Sequence, residues 1–246
     1  MTDKSEVVFV YEEGQIFEIE NSGYKAGNNP LFGKYHKTFN FAPVPYGSPA
    51  RQAFKARIAS ELDVNYLLFG EVKVEVILYL SEQKRFETPE LADLDNYAKL
   101  ICDSIKGSEG LLIDDSQIQS LNISWIDTTE DPYFEINILG APDEFVMKPL
   151  KLYEMPNNLF YPISSKTWTT EGINDTKQSL KPILEAIEKM TKNSHKFRHE
   201  LRQKGFELSR AFFLSQGISP ILPGFHKNRV IDGGFELVLK EQWKRL

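Results

Sequence analysis

Tyr97, Ile101 and Ile105 recur every four residues, a spacing that gathers one apolar stripe on a helix and scatters it on a strand. Residues 95–106 are therefore expected to form an amphipathic helix, with Asp95 as N-cap and Gly107 where the helix stops. Such a stripe must be buried against something. Residues 72–80 alternate and then turn uniformly apolar, as a central strand does. Residues 118–126, with Leu121, Ile123 and Trp125 on one face, and residues 133–139 read as further strands. Upstream, residues 7–11 and 15–19 flank a tight turn, and Ser48-Pro49 opens a helix to about Leu62 with Phe54 and Ile58 on its buried side. This order predicts an α+β domain with helices packed against a mixed sheet.

The polar face of the expected helix carries chemistry. Asp95, Lys99 and Asp103 are four residues apart and share a face. Asp93 and Asp95 sit at the helix mouth, where free N–H groups favour negative charge, and Asp114-Asp115 follow in a loop. Hard cations take oxygen ligands, and carboxylates crowded together need a cation to neutralise them. A lysine beside them can hold a phosphate or stabilise charge in a transition state. Taken one at a time, the same residues describe a cap, an ion pair on a wet helix face and an Asp-Asp-Ser turn.

Together they form a pattern. Asp93-Leu94-Asp95-Asn96, Lys99 and Asp103, followed by Asp114-Asp115-Ser116-Gln117-Ile118, resemble the signature of the RusA-type Holliday junction resolvases over about residues 5–140. The resemblance implies a dimeric endonuclease that cuts four-way DNA junctions with Mg²⁺ or Mn²⁺. It implies Asp93, Asp95 and Asp115 as metal ligands, Lys99 as essential for cleavage, Asp114 as an assisting carboxylate and Asp103 as a support for Lys99. Symmetric cutting of a junction implies a homodimer.

Charge divides the chain. The net charge is −6, which is awkward for a protein that grips phosphates, yet residues 1–142 hold 12 basic against 23 acidic side chains and residues 143–246 hold 17 against 12. The basic part either contacts nucleic acid or docks on the acidic part. Ala141-Pro142 is the expected boundary between a nuclease domain, 1–142, and a basic, largely helical C-terminal extension, 143–246. In the extension, residues 143–170 lack periodicity. Ile183, Ile187, Met190, Ser194, Phe197, Leu201 and Leu208 suggest an extended helix, or two helices with a break at Gly205, with Pro182 in the first turn. Residues 230–239 suggest a closing hairpin around Asp232-Gly233-Gly234.

Lys34 and Lys37, in a long aromatic-rich connection over residues 21–49, Lys84 and Arg85 before the acidic motif, and Lys192, Lys196 and Arg202 on the long helix are the candidate DNA contacts. The single cysteine, Cys102, excludes an internal disulfide, and the first residues lack the apolar run of a signal peptide, so a cytoplasmic location without membrane attachment is expected. Two other readings stay open: a non-catalytic DNA-binding or scaffold protein of the same fold, and a nuclease that prefers flaps, single strands or RNA.

Overall fold

The computed structural model describes residues 33–89, 91–142, 144–165, 176–220 and 224–246. The expected strand pair over residues 7–19 lies outside them. The chain runs β1 (Lys34–Phe39), α1 (Arg51–Leu62), β2 (Tyr66–Leu68), β3 (Val72–Leu80), α2 (Glu82–Glu87), α3 (Leu94–Ser104), β4 (Ile118–Asp127) and β5 (Tyr133–Gly140). It continues with β6 (Phe145–Met147), β7 (Leu150–Met155), β8 (Leu159–Ser164), α4 (Thr176–Gln203), α5 (Leu208–Ser215), β9 (Phe225–His226), α6 (Lys227–Val230), β10 (Glu236–Val238) and α7 (Lys240–Trp243). Its contacts divide into two units, one of the described residues up to Val64 with Gly70–Phe145, the other of Asn65–Phe69 with Val146–Leu246. No helix among the described residues is long and apolar enough to cross a membrane.

The first unit is α+β, as expected. Its sheet has the order β1-β5-β3-β4 and is mixed: β3 runs parallel to β4 and antiparallel to β5. Alternation decides the two faces of β3. Val72, Val74, Val76, Leu78 and Leu80 are all buried. On the opposite face Glu75 accepts hydrogen bonds from Asn122 and Asn137, and Tyr79 stacks on Tyr133. The helices α1 and α3 pack together and bury Phe54, Ile58 and Leu62 from one, Tyr97, Leu100 and Ile101 from the other. Deep burial of aliphatic side chains on this scale stabilises by about 1.5–3 kcal/mol each.

Three expectations change here. The connection over residues 21–49 contains a strand, β1, which pairs antiparallel with β5 and seats Tyr35 and Phe39 in the core. Surrounding Gly, Pro and Asn residues conceal that short alternation in the sequence. Helix α1 starts at Arg51, because Ser48 instead closes a turn in which its Oγ accepts the Ala50 N–H at 3.1 Å. The strand β4 lies at the sheet edge, so Leu121 and Ile126 remain exposed.

The second unit holds a sheet of order β10-β7-β8-β9 besides its helices. Pro162 hid β8 from a sequence reading; β9 pairs only with Leu159 and Phe160, so at Pro162 that side of β8 needs no N–H for the ladder. The long helix is α4, and Gly205, at φ +86°, separates it from α5, so of the two readings the broken pair is the one found. Pro182 lies inside α4 rather than in its first turn. The expected closing hairpin is not formed: residues up to Val230 are helical in α6, and β10 pairs in parallel with β7.

The buried stripe of α4 also differs from Ile183, Met190 and Phe197, running through Leu184, Glu188, Thr191, Ser194 and Leu201. Hydrophobic periodicity cannot register such a stripe, because its polar members are satisfied internally. Thr191 donates to the Ile187 carbonyl at 2.8 Å, and Ser194 donates to that of Thr191 at 3.1 Å. Glu188, 5 % exposed, receives Lys240 at 2.5 Å, Lys192 at 2.7 Å and Lys244 at 3.2 Å. Burial pushes its carboxyl upward in pKa, but the three ammonium groups win and hold it at about 2.

A group whose folded pKa is depressed contributes stability above its ordinary pKa and loses it on acidification. The stabilisation by Glu188 should therefore be complete above pH 4.5 and decline as pH falls from there towards about 2. Thermal unfolding of the parent and Glu188→Gln should show a gap at neutral pH that closes across this window. A gap independent of pH would show that the three lysines do not stabilise the ionised carboxylate.

Candidate active site

The helix mouth is built by residues that sequence reasoning placed two positions off. Asp93, rather than Asp95, is the N-cap of α3, and Asp95 lies in the first turn. Both carboxylates and Lys99 are exposed, while Tyr97, Ala98, Leu100 and Ile101 anchor the helix from beneath. The free N–H groups of this end favour the charges on Asp93 and Asp95.

Tyr46 is a residue the sequence gave no reason to select. Its N–H donates to the Asn96 carbonyl at 3.0 Å, and its ring lies 3.9 Å beneath the Lys99 ammonium. This cation–π contact orients Lys99 without neutralising its charge. The only trace in the sequence is an aromatic between Pro45 and Gly47, a turn pattern that says nothing about its target.

Asp103 does not support Lys99. Its carboxylate pairs with Lys106 at 3.1 Å and Lys55 at 3.7 Å. Lys106 also reaches Asp115 at 2.8 Å, so one ammonium bridges two of the motif's carboxylates. Burial works against that charge, but the hydrogen bonds to Asp115 and Asp103 outweigh it and raise the Lys106 pKa. Cys102 lies beside this group: burial, then the Asp115 and Asp103 charges, push its thiol up to about 11, which makes it an inert packing residue.

The loop that presents Asp115 is locked by backbone bonds. Gly107, at φ +95°, turns the chain after α3, and the Ile105 carbonyl accepts the N–H groups of Leu111 and Leu112. Gln117, 5 % exposed, accepts the Ile113 and Asp114 N–H groups and donates to the Gly70 carbonyl at 2.9 Å. Asp114, 2 % exposed, accepts the Ser116 N–H at 3.1 Å. The Asp-Asp-Ser-Gln run thus buries its first carboxylate and turns the second, half-buried, towards Lys106.

The donors on offer are those a hard cation takes, carboxylate oxygens. They are not gathered into a cage: among the described residues no three His, Cys, Asp or Glu side chains group as metal ligands would. Lys106 supplies the positive charge against Asp115.

The candidate DNA contacts fall in different places. Lys34 and Lys37 lie on the edge strand β1, and Lys84 and Arg85 on α2. In the second unit Lys192 is held by Glu188, Arg202 donates to the Phe206 carbonyl at 3.2 Å, and Lys196 stands exposed near Glu200 at 3.9 Å.

An α+β unit that presents carboxylates and a lysine seated on an aromatic ring at one helix mouth has the side chains of a phosphodiester-cleaving protein. More particularly, residues 27–139, from before β1 into β5, match the family model described as Endodeoxyribonuclease RusA. No curated protein sequence matches the chain.

Proposed function

We propose that the protein is a Mg²⁺-dependent, structure-specific endodeoxyribonuclease that resolves Holliday junctions or other branched DNA in recombination and repair. The supporting observation is the coincidence of the RusA family match with Asp93, Asp95 and Lys99 exposed together on the first turns of α3. In this reading Asp93, Asp95 and Asp115 would hold Mg²⁺ or Mn²⁺, and the bound ion would supply an activated water and charge neutralisation at the phosphate. Lys99, kept in place by Tyr46, binds the phosphate oxygen. Asp114 fixes the turn that carries Asp115. A homodimer acting in the cytoplasm would supply one site per cut strand.

One observation favours a non-catalytic DNA-binding protein instead: Lys106 already satisfies Asp115. Cleavage of a panel of four-way junctions, flaps, single strands and RNA, with Mg²⁺ and with chelator, decides. Metal-dependent cutting of the four-way junction above the other substrates is expected. Binding without cutting of any substrate would replace the enzyme with the scaffold, and preferential cutting of flaps, single strands or RNA would reassign the substrate.

A further inference from the structure

In the first unit a cleft of about 170 Å³ opens between α2 and the end of β4, lined by Leu80, Glu82, Arg85, Trp125, Ile126 and Asp127. It is too small for a drug-sized ligand and suits one planar ring. Trp125 forms one wall, braced edge-to-face by Tyr97 of α3 at 6.1 Å between centroids. The Arg85 guanidinium lies 5.3 Å from the Trp125 ring centre and 4.3 Å from that of Phe86, which is 72 % exposed.

Two features define what would fill it. Among the described residues the buried Arg85 Nε has no hydrogen-bond partner, although the same side chain reaches Glu82 through its outer nitrogen at 3.4 Å. That nitrogen is sealed from solvent, so the donors a ligand in the cleft can reach are the outer nitrogens of the guanidinium. The second feature is charge: Glu82 and Asp127 face the same cleft, where Asp127 accepts the Glu82 N–H, at 2.6 Å, through one oxygen. Two carboxylates against one guanidinium repel a phosphate, which removes Arg85 from the expected phosphate contacts. A neutral ring that offers an acceptor to Arg85 and an amino group to the carboxylates fits both features.

We infer that this cleft captures a single unstacked nucleobase bearing an exocyclic amino group, stacked against Trp125 and Arg85, with its edge turned to Glu82 and Asp127. Unpaired bases are recognised by this combination of aromatic or guanidinium stacking and edge hydrogen bonds. The inference rests on the DNA-cleaving reading, since it deepens what that substrate must offer: an unpaired base near the strand cut beside α3. Cytosine, adenine and guanine have the required amino group, and thymine lacks it.

The test is anisotropy with labelled oligodeoxycytidine and oligothymidine, using the full chain in chelator. The parent should bind oligodeoxycytidine about tenfold more tightly than oligothymidine; Trp125→Ala should lose about tenfold in affinity and the preference with it, while Trp125→Phe keeps both. Arg85→Met, on the exposed helix α2, should lose the preference with the fold unchanged. Equal binding of the two oligomers by the parent, or a preference untouched in Arg85→Met, overturns the pocket. Junction cleavage in the same preparation separates the readings: cutting with no base preference overturns the pocket alone, and neither cutting nor binding overturns both.

Discussion

Replacing Asp95 with asparagine is expected to slow cleavage of branched DNA by at least about a hundredfold while junction binding persists. The substitution keeps shape and removes one charge. Asp95 is exposed in the first turn of α3, so its contribution to the fold is limited to helix-end electrostatics, about 0.3–1 kcal/mol. Loss of activity with an unchanged unfolding curve therefore reports on chemistry. Single-turnover cleavage against thermal unfolding makes the comparison. A variant that cuts as fast as the parent would remove Asp95 from the site.

The second large effect lies in the other unit. Trp243, three residues from the chain end, is fully buried among Tyr153, Met155, Tyr161 and Leu184, and its indole N–H donates to the Glu154 carbonyl at 2.9 Å. Trp243→Ala should cost about 3–5 kcal/mol, because it removes the largest side chain of that core and leaves a cavity and an unpaired carbonyl. Denaturant unfolding of the full chain, followed by circular dichroism, should show the second unit's transition moving to lower denaturant. A shift worth less than about 1 kcal/mol would mean that α7 is a loosely held end rather than part of the core.

What the sequence disclosed follows from how each element is encoded. The α3 stripe and β3 are legible because period and burial coincide there: Tyr97, Ile101 and Ile105 are all buried, and β3 spans the expected Val72–Leu80. The α4 stripe was misread because its polar members break the apolar period: Glu188 is buried through ion pairs with Lys240 and Lys244, far along the chain, and Thr191 through a hydrogen bond to the Ile187 carbonyl one turn back. Strands β7 and β8 were missed for a related reason, since Pro156 and Pro162 signal a loop where only the pairing partner shows a strand. At the candidate site, spacing put Asp95, Lys99 and Asp103 on one helix face, with Asp93 beside Asp95 at its mouth. It could not reveal that Tyr46 would seat Lys99, or that Lys106 would bridge Asp103 and Asp115. Those are tertiary facts, and the two lysines look alike in a linear reading.

The most direct measurement is a calorimetric titration of the parent, Asp95→Asn and Asp115→Asn with Mn²⁺. If these carboxylates share a divalent ion, the parent binds it and each substitution weakens binding by about tenfold or more. Equal affinity in all three proteins, or no binding by the parent, would contradict the account.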